Sequence, residues 1–146
     1  NLFIAREETE TETGLYEFET GTYLAEEFLK KKSLPFTAVI AINDLTAFGI
    51  IQAFTRHGVS IPDDISVISF DNLPSSGMIY PPLTTIELPS VSLGASTCTM
   101  LINTLSGSFD SLAGITFDFQ GSLVERESIR HIHTLQNSTE LPFPGL

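Results

Sequence analysis

Residues 61–72, IPDDISVISFDN, decide how the rest of the chain is read. Ile65, Val67, Ile68 and Phe70 form a short apolar run, mostly β-branched and too short for a stable helix. Pro62-Asp63-Asp64 bound it on one side and Asp71-Asn72-Leu73-Pro74 on the other. A strand apolar on both faces belongs in the middle of a sheet covered by helices. Asp71 then stands at the carboxyl edge of that sheet, where open α/β folds hold their ligands.

Upstream of this strand, TAVIAI at 37–42 makes another short apolar strand and ends at Asn43-Asp44. In the helix that follows, Ala47, Ile50, Ile51 and Phe54 recur at i, i+3, i+4 and i+7, with Asp44 as the expected N-cap and Gly58 just past the end. Leu45 and Phe48 point away from that face, either under a neighbouring loop or at a subunit contact. Earlier still, Thr20 to Lys32 is helical, with Leu24, Ala25, Phe28 and Leu29 on one face. Leu2, Phe3 and Ile4 suggest a first strand, followed by an acidic, Thr-rich loop at 7–14.

Downstream, residues 74–80 read as one irregular helical turn, and Pro81-Pro82 leads into a strand at Leu83-Thr84-Thr85-Ile86. A long helix starts after Pro89 and stops at Gly107, with Val91, Ala95, Cys98, Leu101, Ile102 and Leu105 on its apolar side. Ile115, Phe117 and Phe119 alternate with polar residues like an edge strand, Gly121-Ser122 interrupts, and Leu123-Val124 resume. The tail from His131 has no period. The order strand, helix, strand, helix, strand predicts an α/β fold: a Rossmann-like parallel sheet with right-handed crossovers and helices on both faces.

The 146 residues suit one domain with a core of its own. Eighteen acidic against seven basic residues give a formal charge of −11, which repels phosphate backbones, so the chain itself is not a DNA-binding module. The single Cys98 excludes an internal disulfide and cysteine-cluster metal sites, and reads as a core thiol compatible with a reducing cytosol. No apolar run is long enough for a membrane span, and the first residues lack the order of a signal peptide. His57, His131 and His133 do not make a metal set, and no glycine-rich phosphate loop is present. Ser75-Ser76-Gly77 lacks the frame of a nucleophile elbow. The expectation is a protein without metal, cofactor or catalytic constellation.

Tyr16, Asn43 (with Asp44) and Asp71 (with Asn72) each follow one of the first three predicted strands, so a parallel sheet gathers them at one edge. An aromatic face with an amide and a carboxylate suits a sugar or another hydroxyl-rich ligand. Helix capping is the plainer account of Asn43 and Asp44, with Asp44 expected to be a cap alone, and a turn before Pro74 is that of Asp71.

The run PFTAVIAINDLTAFGIIQAFTRHGVSIPDDISVISFDN, then YPPLTTIELPSVSLG and later LVERES, closely resembles the C-terminal part of the lactose/galactose-repressor (LacI/GalR) family of bacterial transcription regulators. The similarity extends from about Gly21 to Ser128. It implies that residues 1–130 form the C-terminal lobe of a periplasmic-binding-protein-like effector domain, with 131–146 a tail. The helix at 90–106 would cross to the N-terminal lobe, which together with the helix-turn-helix headpiece is absent from this chain. The resemblance places Tyr16, Asn43, Asp71 and Ser90 at effector-contacting positions. It places Phe48 and Tyr80 at a dimer interface, and Leu45, on the same outward side of its helix as Phe48, is expected there too. The function implied is effector binding and dimerisation in a cytoplasmic repressor that reaches operator DNA only through its headpiece. The alternatives are a fragment of an extracytoplasmic sugar-binding protein with the same core, and an enzyme or phospho-receiver using Asp71. A receiver also needs an acidic pair after its first strand and a lysine near its last.

Overall fold

In a computed structural model of the chain, residues 17–31, 34–107, 116 and 118–131 are described. Three strands run parallel, β1 (Ala38–Ile40), β2 (Ser66–Phe70) and β3 (Thr84–Glu87), and β4 (Ser122–Val124) runs antiparallel beside β3. The sheet order is β1-β2-β3-β4, so the strand of residues 61–72 lies inside the sheet as its composition predicts. Parallel pairing is what the helix-bearing connections require.

Helix α1 (Glu17–Leu29) starts before its apolar stripe, with Glu17 and Glu19 in the first turn, where carboxylates suit the positive end of the helix dipole. Helix α2 (Asp44–Arg56) buries the expected face: Ala47, Ile50, Ile51 and Phe54 pack with Val67, Ile65 and Leu83 into one core. His57 caps its end, and Gly58 follows in the left-handed conformation (φ +80°) that glycine adopts without strain. Leu29 and Phe36 pack at the margin of the core, where the Phe28 and Phe36 rings meet edge to face at 4.9 Å.

The second side of α2 is covered by α1, at backbone contact distance. A Cβ on Gly49 would lie 2.0 Å from the Phe18 carbonyl oxygen, and one on Gly21 2.1 Å from that of Thr46. Phe48 does not stand free on the outer side of α2. It is half-buried and packed against the core, while Leu45 stays exposed.

Helix α3 (Ser90–Leu105) ends at Gly107 (φ +74°) as expected and buries none of its residues. Val91, Leu101, Ile102 and Leu105 are exposed, and so is Cys98, correcting the expectation of a core thiol. An apolar stripe buries a thiol only when another element lies on it, and among the described residues none does.

Strand β4 begins later than the alternation around residue 117 suggests: Thr116 and Asp118 to Gln120 are not in a strand. At Gly121 the backbone comes close to β3: a Cβ there would sit 2.8 Å from Ile86 Cγ2 and 3.0 Å from the Glu87 carbonyl oxygen. Gly121 itself stays outside the strand, but Ser122, expected to interrupt it, already pairs opposite Glu87. The expected strand at 2–4, the loop at 7–14, Tyr16, Ile115, Phe117 and the tail beyond His131 lie outside the described residues.

Candidate functional site

The register places Asn43, Asp71 and Ser90 at one edge of the sheet. Ile40 pairs with Ile68 and Phe70 with Ile86, so Asn43 and Asp71 each follow a paired residue by three positions, and Ser90 follows Ile86 by four. Ser90 is exposed at the start of α3.

Asn43, not Asp44, caps α2: its Oδ1 accepts from Thr46 N at 2.9 Å, and its backbone is extended. Both residues are good N-caps, and a single step in chain position exchanged their roles. Asp44 is instead fully buried. Its carboxylate accepts from the hydroxyls of Ser69, Ser76 and Thr85 (2.7 Å for Thr85) and from Leu73 N at 2.8 Å. Burial alone would raise its pKa, but the bonds from Ser69, Ser76, Thr85 and the Leu73 amide together outweigh it and hold the carboxyl below its ordinary value. One carboxylate thus pins α2, β2, β3 and the loop after β2.

That loop begins abnormally. Asp71 has φ +109° and Asn72 φ +52°; the second suits asparagine, but the first is a strained conformation for any side-chain-bearing residue. The strain reverses the chain at the end of β2, while Asp71 N still donates to Ile86 O at 2.9 Å. The Asp71 side chain is left exposed at the sheet edge. Its carboxyl is pushed above its ordinary value, first by partial burial and then by the negative charges of Asp44 and Glu17. Such a group takes a proton or a hydroxyl donor more readily than an ordinary surface aspartate.

The returning segment closes the far side. Arg126 donates from Nη2 to Asn72 Oδ1 at 2.7 Å and from Nη1 to Leu83 O at 2.6 Å. Sequence reading missed Asp44 as a hub and missed Arg126. The available signal was polar residues in buried strands, Ser69 within VISF and Thr85 within TTIE, which demand an internal partner.

Residues 2–129 match the family described as periplasmic binding protein-like domain. The chain belongs to that family. Within it, the similarity is to LacI-type regulators, as the sequence motifs imply. The HTH-type transcriptional repressor PurR of Pasteurella multocida is 36% identical over 117 residues, covering 80% of this chain and 34% of that protein. A LacI-type transcription regulator from Bifidobacterium animalis superposes with a TM-score of 0.69 at 30% identity, covering 81% of this chain and 41% of the other. A LacI family regulator from Enterococcus faecalis, solved with bound ribose, gives 0.61 at 34% identity, covering 77% and 40%. The periplasmic binding protein-like domain seen here therefore spans about a third of the length of the curated relatives it matches.

Proposed function

We propose that the chain is the effector-binding and dimerising lobe of a LacI-type transcription repressor. The observation that carries this reading is Asp71, held in a strained conformation at the mouth of an interior parallel strand and level with Asn43. Strain concentrates where a side chain must be presented rather than packed. A carboxylate acceptor and an amide whose capping bond engages only Oδ1 suit a polyhydroxylated ligand, a sugar or sugar derivative, with Ser90 at the same edge. The ribose held by the Enterococcus faecalis regulator supports that ligand class. The exposed apolar side of α3 suits packing on a second lobe, ligand being gripped between the two and shifting their open and closed populations. Operator DNA would be bound through a headpiece outside this chain, in the cytoplasm, with no catalytic step. A chain offering one wall of a cleft binds effector weakly on its own, because the ligand is buried on one side only.

Thermal-shift screening of pentoses, hexoses and disaccharides on the two-lobed protein identifies the ligand, and calorimetry then measures the variants. Asp71→Gly is expected to abolish binding while raising stability by about 1 kcal/mol, because glycine accepts φ +109° and the repelled charge is gone. Asn43→Asp keeps the helix cap and is expected to weaken binding at least about tenfold by replacing an amide donor with a carboxylate. Unchanged affinity in both variants would sink the site.

For the dimer face, Tyr80, 85% exposed, and Leu45 are better placed than Phe48, whose ring also supports the core. Sedimentation of Tyr80→Glu beside the parent is expected to show half the mass. Identical masses would refute the interface.

A further inference from the structure

The loop from Asp71 to Leu83 carries the candidate ligand carboxylate at its start and Tyr80 near its end. Its backbone leaves β2 through two residues with positive φ, and the first amide after Asp71, that of Asn72, has only a long 3.3 Å bond to Thr85 Oγ1. Asp44 secures the loop one residue further on, through Leu73 N and the Ser76 hydroxyl. Asp71 itself therefore depends on what fixes Asn72.

That fixing group comes from the segment that returns after α3. One planar guanidinium spans both ends of the loop, from Asn72 Oδ1 to Leu83 O. The segment carrying it is bonded to the sheet at several points. Arg126 N donates to Thr84 Oγ1 at 2.9 Å, Glu127 N to Pro82 O at 3.0 Å, and Ser128 Oγ accepts from Thr84 N while donating to Val67 O. Among the described residues the ion pairs are Lys30 with Glu27 and His131 with Glu125, so Arg126 serves neutral acceptors rather than a carboxylate. What matters at this position is the two-pronged fork, which a lysine ammonium does not reproduce.

We propose that Arg126 is the positioning residue of the site: it holds Asn72 in its left-handed conformation, keeps Asp71 presented, and so ties that presentation to the strand returning beside β3. The inference rests on the effector-site reading and extends it. Any displacement of β4 relative to β3 is transmitted to Asn72 through the charged Nη2–Oδ1 bond, with the other prong anchored on Leu83 O, and from Asn72 to the carboxylate. The returning segment, and not the loop alone, then decides whether the site is competent.

The test compares Arg126→Lys, which keeps the charge and removes the fork, with Asn72→Ala and the double variant. Two readouts by NMR need no effector: amide hydrogen exchange along residues 71–77, and titration of the Asp71 carboxyl, which faces Asp44 and Glu17. In Arg126→Lys, exchange at residues 72 and 73 is expected to rise about tenfold or more while that of Ile50 and Phe54 in α2 stays unchanged. The Asp71 carboxyl is expected to titrate closer to an ordinary carboxylate as the loop relaxes. Asn72→Ala is expected to reproduce both changes, and the double variant to add nothing to either single one. Unaltered exchange and titration in Arg126→Lys, or a uniform rise that includes α2, overturns the proposal. Because neither readout involves a sugar, a failure of Asp71→Gly to abolish binding would count against the effector site without deciding the role of Arg126.

Discussion

Gly49→Ala is expected to destabilise the protein by about 3 kcal/mol or more, a large share of a typical domain's 5–15 kcal/mol, roughly. On helix propensity alone the substitution in mid-helix stabilises by about 1 kcal/mol. The sign reverses because the new methyl group would sit 2.0 Å from Phe18 O and 2.8 Å from Thr22 N. Both are backbone atoms of α1, which cannot turn aside as a side chain can, so the helices must separate. Gly94→Ala provides the control, since nothing lies within 4 Å of its added Cβ on α3, and there the propensity gain of up to about 1 kcal/mol should appear. Urea unfolding of both variants beside the parent tests the pair. Equal stabilities for parent and Gly49→Ala would mean that α1 does not cross α2 at this distance.

Asp44→Ala is expected to cost about 3–5 kcal/mol, because it leaves three buried hydroxyls and the Leu73 amide without their common acceptor. Asp44→Asn keeps the shape and part of the accepting capacity, and should cost less, about 1–2 kcal/mol. The two differ further in pH response. The folded-state carboxyl titrates below its ordinary value, so its contribution is complete above the ordinary carboxylate pKa. That contribution is lost as pH falls through the lower folded-state pKa. The parent should therefore lose stability on acidification by more than Asp44→Asn does, and unfolding curves from neutral pH down through the carboxylate range measure the difference. Parallel pH profiles would show that Asp44 is not ionised in the fold.

Periodicity carried most of the architecture. The i, i+3, i+4, i+7 face of α2, the stop at Gly58 and the interior position of β2 follow from local spacing, which needs no knowledge of distant partners. What spacing could not supply were contacts between residues far apart in the chain. Asp44 meets Ser69, Ser76 and Thr85 across 25, 32 and 41 positions, and Arg126 reaches Asn72 across 54. Asn43 and Asp44 are equally able to cap a helix, so their division of labour was fixed by which of them the sheet and loop enclosed. The candidate site was half visible. Asp71 and Asn43 were found at the strand ends, but the strain at Asp71 depends on a backbone angle that no residue type announces.

The place of Ser128 also bears on how the chain becomes folded in the cell. It bridges Val67 and Thr84, which precede it by 61 and 44 positions, at a point where β2 and β3 need a third participant. A nascent chain emerging from the ribosome can build α1, α2 and the first three strands early. The Thr84 amide and the open edge of β3 must then wait for the last quarter of the chain. Closing so long a loop is entropically costly and slow. Until it happens, the half-finished sheet is the form most open to proteases and to pairing with other copies.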